Sequence, residues 1–294
     1  MQTLEVLDKK IRTAQDLLSV VKTMKALAAV NIRQYERAVA SLEAYRRVVD
    51  HGWQALFRYG GVKPGAVLKK KGVIIVIGTD QGMCGQFNQL IASAAVAEYQ
   101  ILRGTGMDVA FWCVGEKVVD TIAGQGSEAA LQYQAPASLN TVHTMVNDMT
   151  RKLEAWKTTR GTEFFYLCHN VLSGKAGYEQ TCHPFLPLDN SWVAHHKDSP
   201  WPSKCLPLLG LPGPEMFGQL FGQYLYICLY RALVQSIAAE NAARLVAMQA
   251  AEKNITELEE DLRKMHREQR QMSITTELLD IMSGFEALNS SDSF

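Results

Sequence analysis

The residues with the clearest chemical suggestion lie in GVIIVIGTDQGMCGQFN, Gly72 to Asn88, where an apolar run meets a turn carrying Gly78, Gly82 and Gly85 and then a helical pattern. Glycines between a strand and a helix are a common way to bring backbone amides to a phosphate. A Walker-type loop, however, needs four residues between its glycines and then Gly-Lys-Ser/Thr, and here Gln86 and Phe87 follow Gly85 with no lysine. The dinucleotide fingerprint also fails, because Gly78 and Gly82 stand four apart and only Gly82 and Gly85 match its second half. The three glycines therefore read as a structural turn that uses positive φ and close backbone approach, with no nucleotide and no other cofactor expected.

Soft metal ligands are the second chemical candidate: Cys168-His169, Cys182-His183, His195-His196 and Cys205. Adjacent residues of a strand point to opposite faces, so each Cys-His pair offers one side chain to any common site, and the spacings match no standard finger. Buried thiols and surface imidazoles, without a metal, are the expectation. The six cysteines carry no C-x-x-C pair and read as free thiols in a reducing compartment. Ser, His and Asp are present without a G-x-S-x-G elbow, so catalysis is not expected of this chain alone.

The elements that position these residues fall into three stretches. Residues 1–58 read as one helix, with no Pro or Gly before Gly52 and apolar residues at Leu4, Leu7, Ile11, Ala14, Leu18, Val21, Ala28, Ile32, Tyr35, Val39 and Leu42. That 4-3 spacing marks a coiled-coil seam. Lys25 occupies the one seam position lacking an apolar side chain, as a register device or as an opening toward another partner. Gly60, Gly61, Pro64 and Gly65 end the helix.

Residues 71–212 alternate short apolar runs with helical segments: strands at 72–77, 108–114, 163–170 and 180–186, and helices at 86–103 and 138–158. Such alternation predicts an α/β domain with a largely parallel sheet. Seven of the nine prolines lie between Pro184 and Pro214, which predicts an irregular connector there. Residues 215–288 return to helix, with only Gly218 and Gly222 as breakers before Ser283. Leu258, Leu262, Met265 and Met272 form a narrow apolar stripe, and Glu259 to Arg263 and Glu260 to Lys264 are spaced as i,i+4 ion pairs. The terminal helices are expected to pair antiparallel, with the α/β domain between them in sequence.

Thirty basic and thirty acidic residues among 294 cancel, so no global field favours nucleic acid or an anionic membrane. The N-terminus carries Glu5 and Asp8 and lacks the apolar core of a signal peptide. The most apolar stretch, Met216 to Val234, contains Gln219, Gln223 and Arg231, which suits a helix buried in protein rather than a membrane span.

Three separated segments carry a family likeness. They are IRTAQDLLSVVKTMKALAAVNIR (Ile11 to Arg33), IVIGTDQGMCGQFN (Ile75 to Asn88), and ENAARLVAMQAAEKN together with RQMSITTELLDIMSGFEAL. In this order and spacing the chain resembles the gamma subunit of F-type ATP synthases, the central rotor shaft of a rotary ATPase. The resemblance implies a long antiparallel coiled coil of the N- and C-terminal helices plus a central Rossmann-like α/β domain that binds no nucleotide and whose glycine turn lies against stator subunits. It implies as partners the alpha and beta subunits, an epsilon subunit and a membrane ring of c subunits, at the cytoplasmic face of a bacterial inner membrane. It further implies partner contacts at Met24, Lys25, Arg244, Arg270, Gln271, Thr275 and Glu277, with Met24 and Arg244 near the C-terminal group. Lys22, Lys25, Arg33, Arg37, Arg46 and Arg47 face only Glu36 and Glu43 between residues 22 and 47. They form either a solvated face or, by the resemblance, contacts to acidic loops of the catalytic subunits. The family's pattern is broken at Asp16 to Val21, at Val30-Asn31 and at His266-Arg267. A nucleotide-dependent enzyme with helical dimerisation arms is the competing reading, separable by direct binding of ATP or NAD.

Overall fold

The computed structural model describes residues 3–60, 71–173, 177–205 and 207–291, with side chains to Ser283. Its elements are α1 (Leu4–Tyr59), β1 (Lys71–Ile77), α2 (Phe87–Gly104), β2 (Asp108–Val114), α3 (Glu116–Gly124), β3 (Ala129–Tyr133), α4 (Leu139–Arg160), β4 (Phe164–Ser173), β5 (Gly177–Leu186), α5 (Asn190–Asp198) and α6 (Gly213–Ser291). They divide into two compact units, one of residues 28–246 and one of the residues up to 27 with those from 247 on.

In the larger unit a five-stranded sheet runs in the order β3-β2-β1-β4-β5. All neighbours are parallel except β4 and β5. Both faces of β1 are covered, which is why KGVIIVI is continuously apolar after its first residues instead of alternating. Ile74 and Val76 face Ile91, Ala95, Val118 and Ile122 of α2 and α3. Val73, Ile75 and Ile77 face Val142, Val146 and Met149 of α4 together with Leu229, Leu233 and Ile237 of α6. Each such side chain contributes roughly 1.5–3 kcal/mol by leaving water. A Ser138 capping box starts α4 and Gly161, at φ 63°, ends it.

The sequence missed α3 and β3, nine and five residues long, because neither is long enough to establish a period. The expected irregular connector contains a helix, α5. Asp189 caps it by accepting the Trp192 amide at 2.6 Å, and Trp192 packs among Trp53, Phe57 and Tyr224. Prolines at 187 and 200 bound this helix rather than preventing it. α1 ends at Tyr59, with the Gly60 amide donating to the Leu56 carbonyl. Gly61, Pro64 and Gly65 lie outside the described residues.

The free-thiol expectation fails for one pair. Cys168 and Cys182 lie directly opposite each other on β4 and β5 and form a disulfide, with Cα atoms 4.2 Å apart. Antiparallel pairing brought together two residues whose separation in sequence gave no sign of it. Among the described residues no group of three His, Cys, Asp or Glu side chains gathers that could hold a metal ion.

In the smaller unit, α1 and α6 pair antiparallel. Asp8 meets His266 at 3.2 Å, Gln15 meets Glu259 at 2.9 Å, and Lys25 meets Glu252, so one helix ascends as the other descends. On α1 the buried positions are Leu7, Ala14 and Val21, flanked by half-buried Leu4, Ile11, Leu18 and Lys25, the seam read from the sequence. On α6 the inward positions are Met248, Glu252, Ile255, Glu259, Leu262, His266, Gln269 and Ser273. This corrects the expected α6 stripe. Leu262 is buried, while Leu258, Met265 and Met272 are about half exposed. Glu259 pairs with Arg263, as spaced; Glu260 and Lys264 form no pair among the described residues.

Candidate partner interface

The glycine turn is braced by its own polar groups. Asn88 of α2 accepts the Thr79 amide at 3.0 Å and donates to the Thr79 hydroxyl at 2.9 Å. The Asp80 carboxylate accepts two backbone amides at 2.8 Å, from Glu116 at the start of α3 and from Ala135. A carboxylate thus caps the N-terminus of α3, with Glu116 beside it, whereas the N-terminus of α2, into which the glycine turn leads, has no side-chain cap. The three glycines have different causes. A Cβ on Gly78 would lie 2.5 Å from Val118 Cβ and 2.6 Å from Asn88 Oδ1, and Gly85 holds φ 62°. Gly82 has neither constraint, contrary to the sequence reading, and the second left-handed residue is Met83 at φ 61°. Gly115 was missed: at φ 103° its Cβ would lie 2.5 Å from the Thr79 amide nitrogen.

Beneath the turn, Cys84 and Phe87 pack on Ala239 and Ala243 of α6, and Ser236 donates to the Ile77 carbonyl at 3.3 Å. Glu240 sits here as well, its carboxyl pushed up by burial against the opposing pull of Arg244. Arg244 is therefore engaged with Glu240 in an ion pair whose two side chains are 14% and 13% exposed. Two of the three family-like segments meet at this point, which explains why a strand-end turn and a distant helical stretch share one signature.

The remaining predicted contact residues belong to the smaller unit. Lys25 lies in the seam against Glu252, and Met24 beside it is half-buried. Arg270, Gln271, Thr275 and Glu277 are exposed on α6. The Thr275 hydroxyl donates to the Gln271 carbonyl at 2.9 Å and Ser273 donates to Glu277 at 3.4 Å. Arg270 and Glu277 share one line of the helix, and Gln271 and Thr275 share the next. Met24 does not join them: its neighbourhood is Glu252, eighteen residues before Arg270 and so about 27 Å along the axis. Arg244 is in the other unit.

Sequence reasoning did not find an apolar flank on this coiled coil. Leu17 and Met24 immediately precede seam positions of α1, and Leu258, Met265 and Met272 immediately precede seam positions of α6. In an antiparallel pair these two columns lie on the same side. Val6, Val20 and Leu27 extend it on α1, and all but Met24 are exposed. Past Ser273, α6 has no described α1 residue to pair with. It carries exposed Ile274, Leu278, Leu279, Ile281 and Met282 over about 160° of its circumference. The signal available was a second 4-3 column beside the first.

A mixed α/β sheet unit joined in one chain to an antiparallel coiled coil with an uncovered apolar side defines a class: a coiled-coil subunit that carries an α/β body. The family model described as ATP synthase matches residues 3–288, and the chain belongs to that family. Similar curated proteins include the ATP synthase gamma chain of Histophilus somni (strain 2336), 27% identical over 95% of this chain and 97% of the relative. The gamma chain of Mannheimia succiniciproducens is 28% identical over the same shares. In fold, the chain is similar to a component of the Euglena gracilis mitochondrial ATP synthase OSCP/F1/c-ring structure, with TM-score 0.64 and 17% identity over 99% of this chain and 96% of that one. It is also similar to one in the Tetrahymena thermophila mitochondrial central stalk and c-ring, with TM-score 0.53 and 16% identity over 79% and 99%.

Proposed function

We propose that the apolar flank and the tip of α6 are held inside a ring of alternating alpha and beta subunits, whose catalytic sites change in sequence as this chain turns. A membrane ring of c subunits drives the rotation, an epsilon subunit completes the rotor, and ATP is made or hydrolysed on the partners rather than here. The observation that carries this reading is the stretch of α6 beyond Ser273. A lone helix with large apolar side chains spread over nearly half its circumference needs a partner that wraps it, since a flat contact would cover a stripe of about 100°. Arg270, Gln271, Thr275 and Glu277 project polar groups from the same region and are suited to fixing the angle of the shaft against that wall, with Met24 and Lys25 engaged further along and Arg244 bracing the turn. No helix among the described residues is long and apolar enough to cross a membrane, and we place the chain as a peripheral subunit at the cytoplasmic face of a bacterial inner membrane.

Replacing Arg270 and Gln271 together by Ala is expected to weaken coupling of ATP hydrolysis to ion transport in the assembled complex. The stability of the isolated chain should change by no more than about 0.5 kcal/mol per site, since both side chains are exposed. Full coupling in that double variant would refute the assignment. Amide exchange offers an independent check: Met24 and Ile274 should exchange rapidly in the isolated chain and become protected on assembly with alpha and beta subunits. Equal protection in both states would show that the coiled coil needs no enclosing wall.

A further inference from the structure

Residues 199–214, SPWPSKCLPLLGLPGP, lead from α5 into α6 and contain no Asp or Glu. Their start is fastened to the last turns of α1. Gln54 and Arg58 both donate to the Ser199 carbonyl, and the half-buried Trp201 ring meets His51 edge-on, with centroids 5.7 Å apart. The Trp201 indole N–H donates to the Cys205 carbonyl at 2.9 Å and the Cys205 amide donates to Ser203 Oγ at 3.1 Å, so this turn pairs polar groups of its own. Leu208 follows it at 96% exposure, more than any other large apolar side chain among the described residues, and Leu211 is exposed as well.

This combination suits a bilayer interface better than a protein groove. Five of the sixteen residues are proline, which has no N–H to strip of water, and the paired groups at Cys205 reduce the cost further. Trp carries the apolar body and polar tip that favour the headgroup level. Lys204 and Lys197 are exposed on either side of Trp201 in sequence, and the Arg58 guanidinium, donating to the Lys197 carbonyl at 2.6 Å, has no carboxylate partner among the described residues. Asp198 and Glu215 bound the segment without entering it. Proline and glycine leave no regular helix or strand face to fit a groove, whereas a bilayer asks only for depth and charge. We propose that residues 201–211 are an interfacial anchor for an anionic lipid surface, with Leu208 and Leu211 at the acyl boundary and Trp201 and Lys204 among the headgroups. The anchor rests on the reading of this chain as a peripheral subunit at a membrane, and adds lipid to the protein partners of that reading.

The full chain supplies the test, because substitutions at these exposed positions leave the core intact. Vesicles of phosphatidylcholine and phosphatidylglycerol, about two to one, should float the parent chain, and phosphatidylcholine alone should float much less of it. Leu208→Gln with Leu211→Gln should weaken binding about tenfold or more, and Lys204→Gln about fivefold. A nitroxide on Cys205, the exposed free thiol, should lose contact with a water-soluble nickel chelate when vesicles are added. Absence of vesicle binding, or binding that ignores the leucine and lysine changes, overturns the proposal, as does a nitroxide that stays open to the chelate. A leucine variant that keeps its affinity for vesicles and loses it for the detergent-solubilised ring of c subunits would make the occupant a protein, and the proposal falls there too. Coupling in the assembled complex, read from Arg270 and Gln271, reports on the rotor assignment separately.

Discussion

The three turn glycines, equivalent in the sequence, separate once their surroundings are known, and Ala substitutions should rank accordingly. Gly82→Ala is expected to stay within about 0.5 kcal/mol of the parent, because its φ is ordinary and nothing lies within 4 Å. Gly85→Ala should cost about 1–2 kcal/mol from its left-handed backbone. Gly78→Ala should cost about 2 kcal/mol or more, since Val118 and Asn88 must both give way. Urea midpoints measure the series, and a Gly82 variant as damaged as Gly78 would contradict it. His169 makes a second residue-scale prediction. Burial holds its imidazole down to about 4, with only Gln235 opposing the shift at 3.2 Å, and Nδ1 has no partner. The unfolded chain takes up this proton below about 6.5 and the folded chain only near 4. The unfolded state thus binds more protons in that window, and stability is lost as pH falls through it, by roughly 3 kcal/mol in full. His169→Gln should therefore lose less stability than the parent between pH 7.5 and 4.5 in urea titrations. An identical loss in both would place the acid sensitivity elsewhere.

Between elements, the α1 seam was legible residue by residue, whereas the α6 seam was not. Both follow the same geometry, but α1 marks its inward positions with Leu, Ile, Ala and Val, while α6 places Glu252, Glu259, His266 and Gln269 there and puts Leu258, Met265 and Met272 on the flank. Hydrophobic periodicity finds the most apolar column, and on α6 that column is not the one α1 covers. Of the contact residues, Lys25 stood out because it broke an apolar column; Arg270 and its neighbours had only the family likeness, since polarity on an exposed helix has many causes. The polar seam predicts its own repair. Replacing Lys25 and Glu252 together by Leu removes a half-buried ion pair from the interior of the coil, and should slow amide exchange in α1 residues 11–27, by an amount on the order of 1 kcal/mol in opening free energy. Lys25→Leu alone leaves Glu252 unpaired and should speed exchange there. A double variant less protected than the parent would mean that the ion pair, rather than apolar contact, holds the coil.

On the scale of the whole molecule, the largely parallel sheet, though not its strand order, was foreshadowed by alternating runs, and the two long helices by the absence of breakers. The disulfide and the braced turn depend on residues 14 and 36 apart in sequence whose meeting only the folded chain displays. The two units also differ in how they are held. Residues 28–246 bury both faces of a sheet, while the other unit is two helices with one seam and an open side. That open side bears on the subunit's fate in a cell. If the ring proposed above encloses it, a copy made in excess has no ring to enter, and its α6 presents Ile274, Leu278, Leu279, Ile281 and Met282 to whatever recognises loose apolar chain. Surplus copies should be cleared by proteases faster than assembled ones, so that supply of the partners sets the abundance of this chain. Replacing Leu278, Leu279 and Ile281 by Gln should lengthen the half-life of the orphan in a pulse-chase measurement while shortening that of the complex, turning one patch of surface into the counter that keeps subunit numbers matched.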